Sequence, residues 1–218
     1  AVLFRKIKGR QGSLISNLLG GREFLSLAFG CAPEEVLKEY VQRANQPRKP
    51  DILSSGPSQE VVRTGRKMDV RLLPALIHHE KDAGPYITAG LAIAKDPETG
   101  IRNVSFNRIQ IIGSQELLIN IPQQLGVIQK KAEAMGNPLE VAVAIGNHPF
   151  EMMAASSKPP FGVDEFDLAG ALRQTPLDLV PCKTISLEVP ARAEVILEGE
   201  IPPNTKQEEG PFGDFMGY

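Results

Sequence analysis

The motif with the clearest chemical potential lies near the end of the sequence, where Glu209 and Asp214 flank the segment Gly210-Pro211-Phe212-Gly213. Two glycines and a proline so close together exclude a regular helix and impose a tight turn. Such a turn can aim both carboxylates into one site, where one acid stays ionised while the other holds a proton near neutral pH. The motif therefore predicts acid–base chemistry, and the alternative interpretation is a solvated acidic turn.

A second group of polar residues follows the alternation of a β-strand. Asn103, Ser105 and Asn107 share one face of an extended segment with apolar neighbours. Their amide and hydroxyl groups suit a phosphate or a hard cation, and Arg108 adds a positively charged fork for a carboxylate or phosphate. The segment therefore predicts an anion or cation site, and the alternative is a strand with one solvent-exposed face.

A third segment combines small residues with an acid. Ala154-Ala155-Ser156-Ser157 permits close approach of the backbone to a ligand, and Glu165 begins a predicted helix. A carboxylate in that position could bind a metal ion. The alternative is an ordinary acid in the first turn of a helix, where it is favoured by the helix dipole.

These segments need strands and helices to position them. Apolar periodicity and turn residues predict a mixed α/β fold, with an α/β region over residues 1–83 and a β-rich region threaded with helices over 84–218. The predicted strands are 86–95, 101–112, 139–145, 184–189 and 194–201, and the predicted helices are 33–45, 122–135 and 167–173.

Composition excludes several classes of protein. The 218 residues carry a formal net charge of -2 without a basic cluster, so the sequence predicts no nucleic-acid partner. No apolar stretch approaches the roughly 20 residues that span a bilayer, so it also predicts no membrane partner. We interpret Cys31 and Cys182 as reduced thiols of a cytoplasmic protein. The three histidines, His78, His79 and His148, match no zinc spacing.

Taken together, four segments resemble the UbiD family of prenylated-FMN-dependent decarboxylases in order and spacing. They are Asp82-Ala83-Gly84-Pro85-Tyr86-Ile87-Thr88, the polar strand from Asn103 to Arg108, the helix start around Glu165, and the turn from Glu209 to Asp214. The resemblance covers nearly the whole chain, which looks like about half of such an enzyme, because family members continue for a long C-terminal stretch. With the alternating strands after Tyr86, it predicts that residues 84–218 form a split β-barrel of the flavin-reductase or FMN-binding type.

The resemblance implies a cofactor and its metal ion. In the family, the phosphate of prenylated FMN is held through Mn²⁺ or Mg²⁺, with K⁺ nearby, and the metal ligands are an Asn, a His and a Glu. Asn103 and Glu165 match the first and last, whereas Gln124 stands in the position of the His. A Gln carbonyl can bind Mg²⁺ or Mn²⁺ but lacks the affinity of imidazole for softer metals. The implied cofactor-binding residues are Asn103, Ser105, Phe106, Asn107, Arg108, Gln123, Ala154 and Ala155.

The resemblance also implies catalytic roles. Arg108, paired with Glu209, orients the substrate carboxylate, and Asp214 delivers a proton to the carbon that loses carbon dioxide. The expected reaction is reversible, non-oxidative decarboxylation of an aromatic, heteroaromatic or α,β-unsaturated carboxylic acid. A flavin prenyltransferase would supply the cofactor, and the full-length protein is expected to be a homo-oligomer. The alternative functions are a non-catalytic flavin- or phosphate-binding split-barrel module and an interaction domain without a ligand.

Two geometric expectations follow. Asn103 and Arg108 lie on opposite faces of a regular strand, yet the mechanism needs both beside one cofactor. We therefore expect a bulge or irregular turn between Val104 and Arg108 that shifts the alternation by one. It would bring Arg108 within roughly 4 Å of Glu209, with Asp214 opening onto the same cavity. We also expect the side chains of Asn103 and Glu165 to approach each other, with Gln124 nearby.

Overall fold

The computed structural model describes residues 1–9, 12–121, 123–214 and 216–217, and its fold is mixed α/β, as predicted. The strands described are β1 (Val2–Phe4), β2 (Leu14–Ser16), β3 (Asp51–Ile52), β4 (Tyr86–Lys95), β5 (Arg102–Ile111), β6 (Leu117–Ile119), β7 (Leu139–Ile145), β8 (Asp178–Pro181), β9 (Glu188–Pro190) and β10 (Val195–Ile201). The α-helices described are α1 (Arg22–Phe29), α2 (Val36–Ala44), α3 (Gln123–Ala134), α4 (Pro149–Ser156) and α5 (Glu165–Arg173).

An antiparallel five-stranded sheet in the order β10-β7-β4-β5-β6 forms the centre of the fold. The bounds of β4 and β7 agree with the predicted strands, and β5 is one residue shorter at each end. The turn between β4 and β5 is held by Asp96, whose carboxylate accepts a hydrogen bond from the Glu98 N–H at 2.9 Å. Gly100 completes this turn with a φ of +71°, a conformation that glycine adopts without strain.

Each face of the sheet has its own hydrophobic core. Leu91 and Val104 lie in a core that includes residues of α4, α5, β8 and β9, and we call this side the α5 face. Ala92 and Ile109 lie in a second core with residues of α3, and we call that side the α3 face. Because side chains alternate along a strand, the even-numbered residues of β5 belong to the α5 face and the odd-numbered residues to the α3 face.

A bulge interrupts the pairing of β4 with β5. Two residues of β4, Thr88 and Ala89, lie opposite Arg108 alone, so the extra residue belongs to β4. Our prediction of a bulge within β5, between Val104 and Arg108, is therefore wrong, and the alternation of β5 is continuous. Gly90 follows the bulge directly, and a glycine inside a strand commonly marks such a site.

The predicted strand 184–189 is also wrong in its bounds. The backbone N–H groups of Lys183 and Thr184 donate to the carboxylate of Glu198 at 2.9 and 2.6 Å. Because a side chain accepts these bonds, this part of the chain forms a turn instead of a ladder. The strand β9 begins after it and joins β3 and β8 in a separate three-stranded sheet.

The N-terminal region contains the predicted helix near residues 33–45, seen as one turn of 3₁₀-helix followed by α2. The sequence analysis does not predict α1, α4 or the β1–β2 pair, because these elements are short. Phe29 of α1 packs on Phe150 of α4 with ring centroids 4.9 Å apart. The boundary near residue 83 stays a prediction. None of the described helices is both long and apolar enough to cross a membrane.

Candidate active site

Arg108 and Glu209 form an ion pair at the start of the acidic turn, our name for residues 209–214. Arg108 donates from Nε to Oε1 and Oε2 at 3.0 and 3.1 Å, and from Nη2 to Oε2 at 2.8 Å. The Glu209 side chain is 8% exposed and that of Arg108 is 36% exposed. A charged pair with several parallel contacts is strong and directional. The guanidinium is therefore fixed by Glu209 on one side and retains further N–H donors for a second carboxylate.

Three residues of the α5 face dock the acidic turn onto the sheet. Tyr86 pairs with Gln110 across β4 and β5, and Gln110 Oε1 accepts a hydrogen bond from the Gly210 N–H at 3.3 Å. The Phe212 ring lies 4.6 Å from the Tyr86 ring and 5.4 Å from the Arg108 guanidinium carbon. The turn thus contacts both strands that flank the bulge.

The Tyr86 hydroxyl is an unusual group in this region. Tyr86 is 1% exposed, and its hydroxyl oxygen lies close enough to the Glu209 carboxylate to interact with it, but it has no hydrogen-bond partner of standard geometry among the described residues. Burial and, to a smaller extent, the negative charge of Glu209 raise the pKa of Tyr86 to about 12. The phenol therefore stays neutral at physiological pH beside the Arg108–Glu209 pair.

Asp82 binds the acidic turn near the end that is remote from Glu209. Its Oδ1 accepts a hydrogen bond from the Gly213 N–H at 2.8 Å, and its Oδ2 accepts from the N–H groups of His78 and His79 at 2.9 and 2.8 Å. The Asp82 side chain is 0% exposed. Burial alone would favour the neutral acid, but these backbone donors hold the pKa of Asp82 below its ordinary value. An ionised carboxylate thus bridges two segments of the chain.

Asp214 lies apart from the Arg108–Glu209 pair. The residue is exposed, and its Oδ1 accepts a hydrogen bond from the Met216 N–H at 2.7 Å. Asp214 also forms an isolated bridge with Gly217. The described residues show no hydrogen bond or ion pair between Asp214 and either Arg108 or Glu209, so its assigned role stays a prediction.

The predicted metal ligands do lie together, at the start of β5. Asn103 Nδ2 donates to Glu165 Oε1 at 3.0 Å and to Gln124 Oε1 at 3.1 Å. Glu165 Oε2 accepts from the Val104 N–H at 2.7 Å. Glu165 is 2% exposed, and this burial raises its pKa to about 7. The structure therefore brings Asn103, Gln124 and Glu165 into one buried polar cluster.

Ion pairs fix the helix that carries Glu165. Asp164 caps α5 by accepting from the Phe166 N–H at 2.9 Å. Arg102 binds Asp164 at 2.7 Å and Glu188 at 2.6 Å, and it is only 9% exposed. Because Arg102 directly precedes Asn103 on β5, these contacts hold the first turn of α5 against the start of the polar strand. This network explains why Glu165 reaches Asn103.

The cluster has features of a site for a hard cation. Asn103 Oδ1 is buried and accepts no hydrogen bond from the residues described. A cavity of about 10 Å³ adjoins Asn103 and Gln124, and that volume suits one water or one small ion. The described part of the chain has no group of three or more His, Cys, Asp or Glu side chains suited to a metal. A cation would therefore rely on one carboxylate and on amide oxygens, which are ligands of hard cations.

The other predicted cofactor-binding residues lie around this cluster or in the core. Ser105 Oγ donates to Asn107 Oδ1 at 2.9 Å, and Asn107 Nδ2 donates to the Asn120 carbonyl at 2.9 Å. Asn103 and Asn107 are buried, so the polar face of β5 is not a solvent face. Phe106, Ala154 and Ala155 belong to the α5-face core. Gln123 begins α3, and its side chain lies outside the described part of the structure.

Three residues of the site do not emerge from sequence reasoning. Asp82 and Tyr86 lie within the segment 82–88, which carries part of the family resemblance, but their contacts with the acidic turn depend on tertiary structure. Gln110 lies two positions beyond Arg108, so strand alternation places it on the same face. That alternation is the one signal that could have indicated Gln110.

Comparison with known protein families settles which family carries this arrangement. Residues 51–218 match the UbiD family, described as the 3-octaprenyl-4-hydroxybenzoate carboxy-lyase Rift-related domain. Residues 1–44 match UbiD_N, the 3-octaprenyl-4-hydroxybenzoate carboxy-lyase N-terminal domain. The chain belongs to the UbiD family. The resemblance inferred from the four segments is thus confirmed.

Among UbiD relatives, two archaeal proteins are both named anhydromevalonate phosphate decarboxylase. The protein from Methanothermobacter thermautotrophicus is 37% identical over 98% of this chain and 49% of its own length. The protein from Methanosarcina mazei is 35% identical over 99% of this chain and 49% of its own length. The chain spans about half the length of the curated relatives it matches.

Solved UbiD-class structures have the same fold. An evolved dimeric form of HmfF from Pelotomaculum thermopropionicum, in complex with prFMN, is 40% identical with a TM-score of 0.92, and the match covers 99% of this chain and 51% of HmfF. The vanillic acid decarboxylase of Sedimentibacter hydroxybenzoicus is 31% identical with a TM-score of 0.93, covering 99% of this chain and 48% of that one. Fold and sequence therefore lead to the same family.

Proposed function

We propose that this chain is the cofactor-binding portion of a prenylated-FMN-dependent decarboxylase. The observation that carries the proposal is the Arg108–Glu209 pair, held on the α5 face of a sheet of the UbiD class. Its substrate is an aromatic, heteroaromatic or α,β-unsaturated carboxylic acid, and the reaction is reversible and non-oxidative. Relatives named for decarboxylation of vanillic acid and of anhydromevalonate phosphate support this substrate class.

Arg108 and Glu209 position the substrate in this proposal. Glu209 fixes the plane of the guanidinium, and the remaining N–H donors of Arg108 bind the substrate carboxylate as a fork. Such positioning of the reacting group lowers the entropic part of the barrier. Arg108 therefore holds the carboxylate that leaves as carbon dioxide.

Asp214 supplies the proton. The bond between the carboxylate carbon and its neighbour breaks, carbon dioxide leaves, and the proton of the Asp214 carboxylic acid forms the new C–H bond. Prenylated FMN, when bound, supplies the electron sink for this step, while the protein supplies position and proton transfer. Glu209 and Asp214 thus divide two roles between two acids of one turn.

Asn103, Gln124 and Glu165 hold the cation that anchors the cofactor phosphate in this proposal. The buried Asn103 Oδ1 and the Glu165 carboxylate favour Mg²⁺ or Mn²⁺, with K⁺ nearby. The polar strand and the close backbone at Ala154 and Ala155 provide further cofactor contacts. We also propose that the sheet belongs to a split β-barrel of the flavin-reductase type, and that the whole protein is a cytoplasmic homo-oligomer supplied by a flavin prenyltransferase.

The test uses the full-length protein produced together with a flavin prenyltransferase. We expect flavin absorbance in the purified protein and release of carbon dioxide from at least one member of a panel of aromatic and α,β-unsaturated acids. The matched control is the same protein made without the prenyltransferase, which should release none. Bound flavin without carbon dioxide release from any acid would instead indicate the non-catalytic flavin-binding module.

A further inference from the structure

The acidic turn has few attachments to the rest of the fold. Glu209 is held by Arg108, Gly210 donates to Gln110 at 3.3 Å, and the Phe212 ring packs against the Tyr86 ring. These contacts all lie in the first four residues of the turn. Residues 211–213 of the turn also contact a different segment of the chain.

That segment is residues 78–83, and Asp82 is its central group. Both oxygens of Asp82 are used, because Oδ1 accepts from Gly213 and Oδ2 accepts from His78 and His79. Beside it, the Ala83 N–H donates to the Pro211 carbonyl at 2.8 Å. A fully buried carboxylate that bridges three backbone N–H groups is costly unless all its bonds are made. The geometry therefore defines a clamp between residues 78–83 and the acidic turn.

We propose that Asp82 is a positioning residue of the active site, whose carboxylate fastens the acidic turn and thereby fixes Glu209 against Arg108. This inference rests on the proposed function, which gives Glu209 and Arg108 their roles. Asp82 makes no direct contact with Arg108 among the described hydrogen bonds. It acts through the turn, since Gly213 is four residues from Glu209.

The chain also offers an independent way to open the clamp. A Cβ atom added at Gly213 would lie 2.8 Å from the Cγ atom of His79. Gly213→Ala should therefore push the turn away from residues 78–83 while Asp82 stays intact. Removing the obstructing ring with His79→Ala should relieve this effect in the double variant.

The experiment compares Asp82→Asn with the wild type in the full-length protein loaded with prenylated FMN. Asp69→Asn is the matched control, because Asp69 also accepts a backbone N–H, that of Arg71, at 3.0 Å. Hydrogen exchange of peptides covering the acidic turn should be at least about tenfold faster in Asp82→Asn. The value of kcat per bound flavin should fall about tenfold or more, and Asp69→Asn should change neither quantity.

Coupling to Glu209 separates positioning from a purely structural role. If Asp82 acts through Glu209, the loss caused by Glu209→Gln should be smaller in the Asp82→Asn background than in the wild type. In the Asp69→Asn background the loss caused by Glu209→Gln should equal its loss in the wild type, because Asp69→Asn itself has no effect. Gly213→Ala should reproduce the fast exchange and low kcat of Asp82→Asn, and addition of His79→Ala should restore both.

The outcomes are distinguishable. Unchanged exchange of the turn overturns the proposal. So does an unchanged kcat per bound flavin in a less stable Asp82→Asn protein, because that result leaves Asp82 a purely structural role. If Asp82→Asn does not fold, the single variant Gly213→Ala and the double variant with His79→Ala test the proposal instead. Hydrogen exchange of the turn and kcat per bound flavin are measured for both. A wild-type protein inactive on every acid would contradict the proposed function, whereas exchange of the turn would still show whether Asp82 holds it.

Discussion

Asn103 and Arg108 lie on opposite faces of the same strand, and each meets a different carboxylate. Asn103 contacts Glu165 at 3.0 Å in the buried cluster at the start of β5, whereas Arg108 contacts Glu209 at 2.8 Å on the α5 face. The strand alternates without interruption between them, because the bulge lies in β4. One strand therefore carries two polar sites, and changes at one should leave the contacts of the other intact.

The first prediction concerns the Arg108–Glu209 pair. Arg108→Ala and Glu209→Gln should each lower kcat/KM of the loaded full-length enzyme by about 100-fold or more, since the substrate carboxylate loses its oriented fork. Circular dichroism should show a folded protein. The control is Arg71→Ala, which removes an exposed pair with Asp69 and should leave activity unchanged. Normal decarboxylation by both site variants would refute their assignment.

The second prediction tests the proton donor. Asp214→Asn removes the acidic proton but keeps the shape of an exposed side chain, so activity should fall by about 100-fold to 10,000-fold while the melting temperature stays close to that of the wild type. Asp51→Asn, at an exposed aspartate of β3, serves as the control. A fully active Asp214→Asn enzyme would assign the proton to another group.

The sequence predicts the bounds of β4 and β5 closely, but it does not predict the position of the bulge between them. Their bounds follow from apolar runs separated by a turn with Asp96 and Gly100, which is a local signal. The position of the bulge is not local, because both strands must pair before the extra residue can be assigned to one of them. Gly90 is the local signal that could have indicated a bulge in β4. The sequence analysis instead expects the irregularity in β5, because β5 carries the polar residues.

The residues of the site divide in the same way, into those that sequence signals predict and those that only tertiary contacts reveal. Arg108, Glu209, Asn103 and Glu165 could be selected because their residue types and order resemble those of the UbiD family. The contacts of Asp82 could not, because its role depends on Gly213, which lies 131 positions away along the chain. A buried carboxylate whose partners are backbone N–H groups leaves no pattern in the sequence, since every residue except proline provides such a donor.

The third prediction concerns the buried polar cluster of Asn103, Gln124 and Glu165 and its proposed metal ion. Gln124→His places an imidazole at the position where the family resemblance implies a His ligand, so the affinity for Mn²⁺ should rise relative to that for Mg²⁺. Isothermal titration calorimetry on full-length protein without bound metal measures both affinities. Asn103→Ala should lower the affinity for both metals, because it removes the buried Oδ1 atom. An unchanged preference in Gln124→His would mean that position 124 is not a ligand.

The last prediction concerns Tyr86 and the pH dependence of stability. The pKa of Tyr86 is raised to about 12 in the folded protein, above its ordinary value of 10.0. The folded state therefore binds the phenolic proton more tightly than the unfolded state does. The associated stability is complete below pH 10 and is lost as the pH rises through about 12. Folded protein should thus become less stable over this alkaline range.

Tyr86→Phe tests this assignment because it removes the ionisable hydroxyl and keeps the ring against Phe212. Urea unfolding at pH 8 and at pH 11 should show a smaller alkaline loss of unfolding free energy in Tyr86→Phe than in the wild type, whereas the control Tyr40→Phe should keep the wild-type loss. At pH 8 the variant should lie within about 1 kcal/mol of the wild type, since the buried hydroxyl has no hydrogen-bond partner of standard geometry among the described residues. A loss of several kcal/mol at pH 8 would mean instead that the hydroxyl donates to Glu209 and helps to hold the Arg108–Glu209 pair.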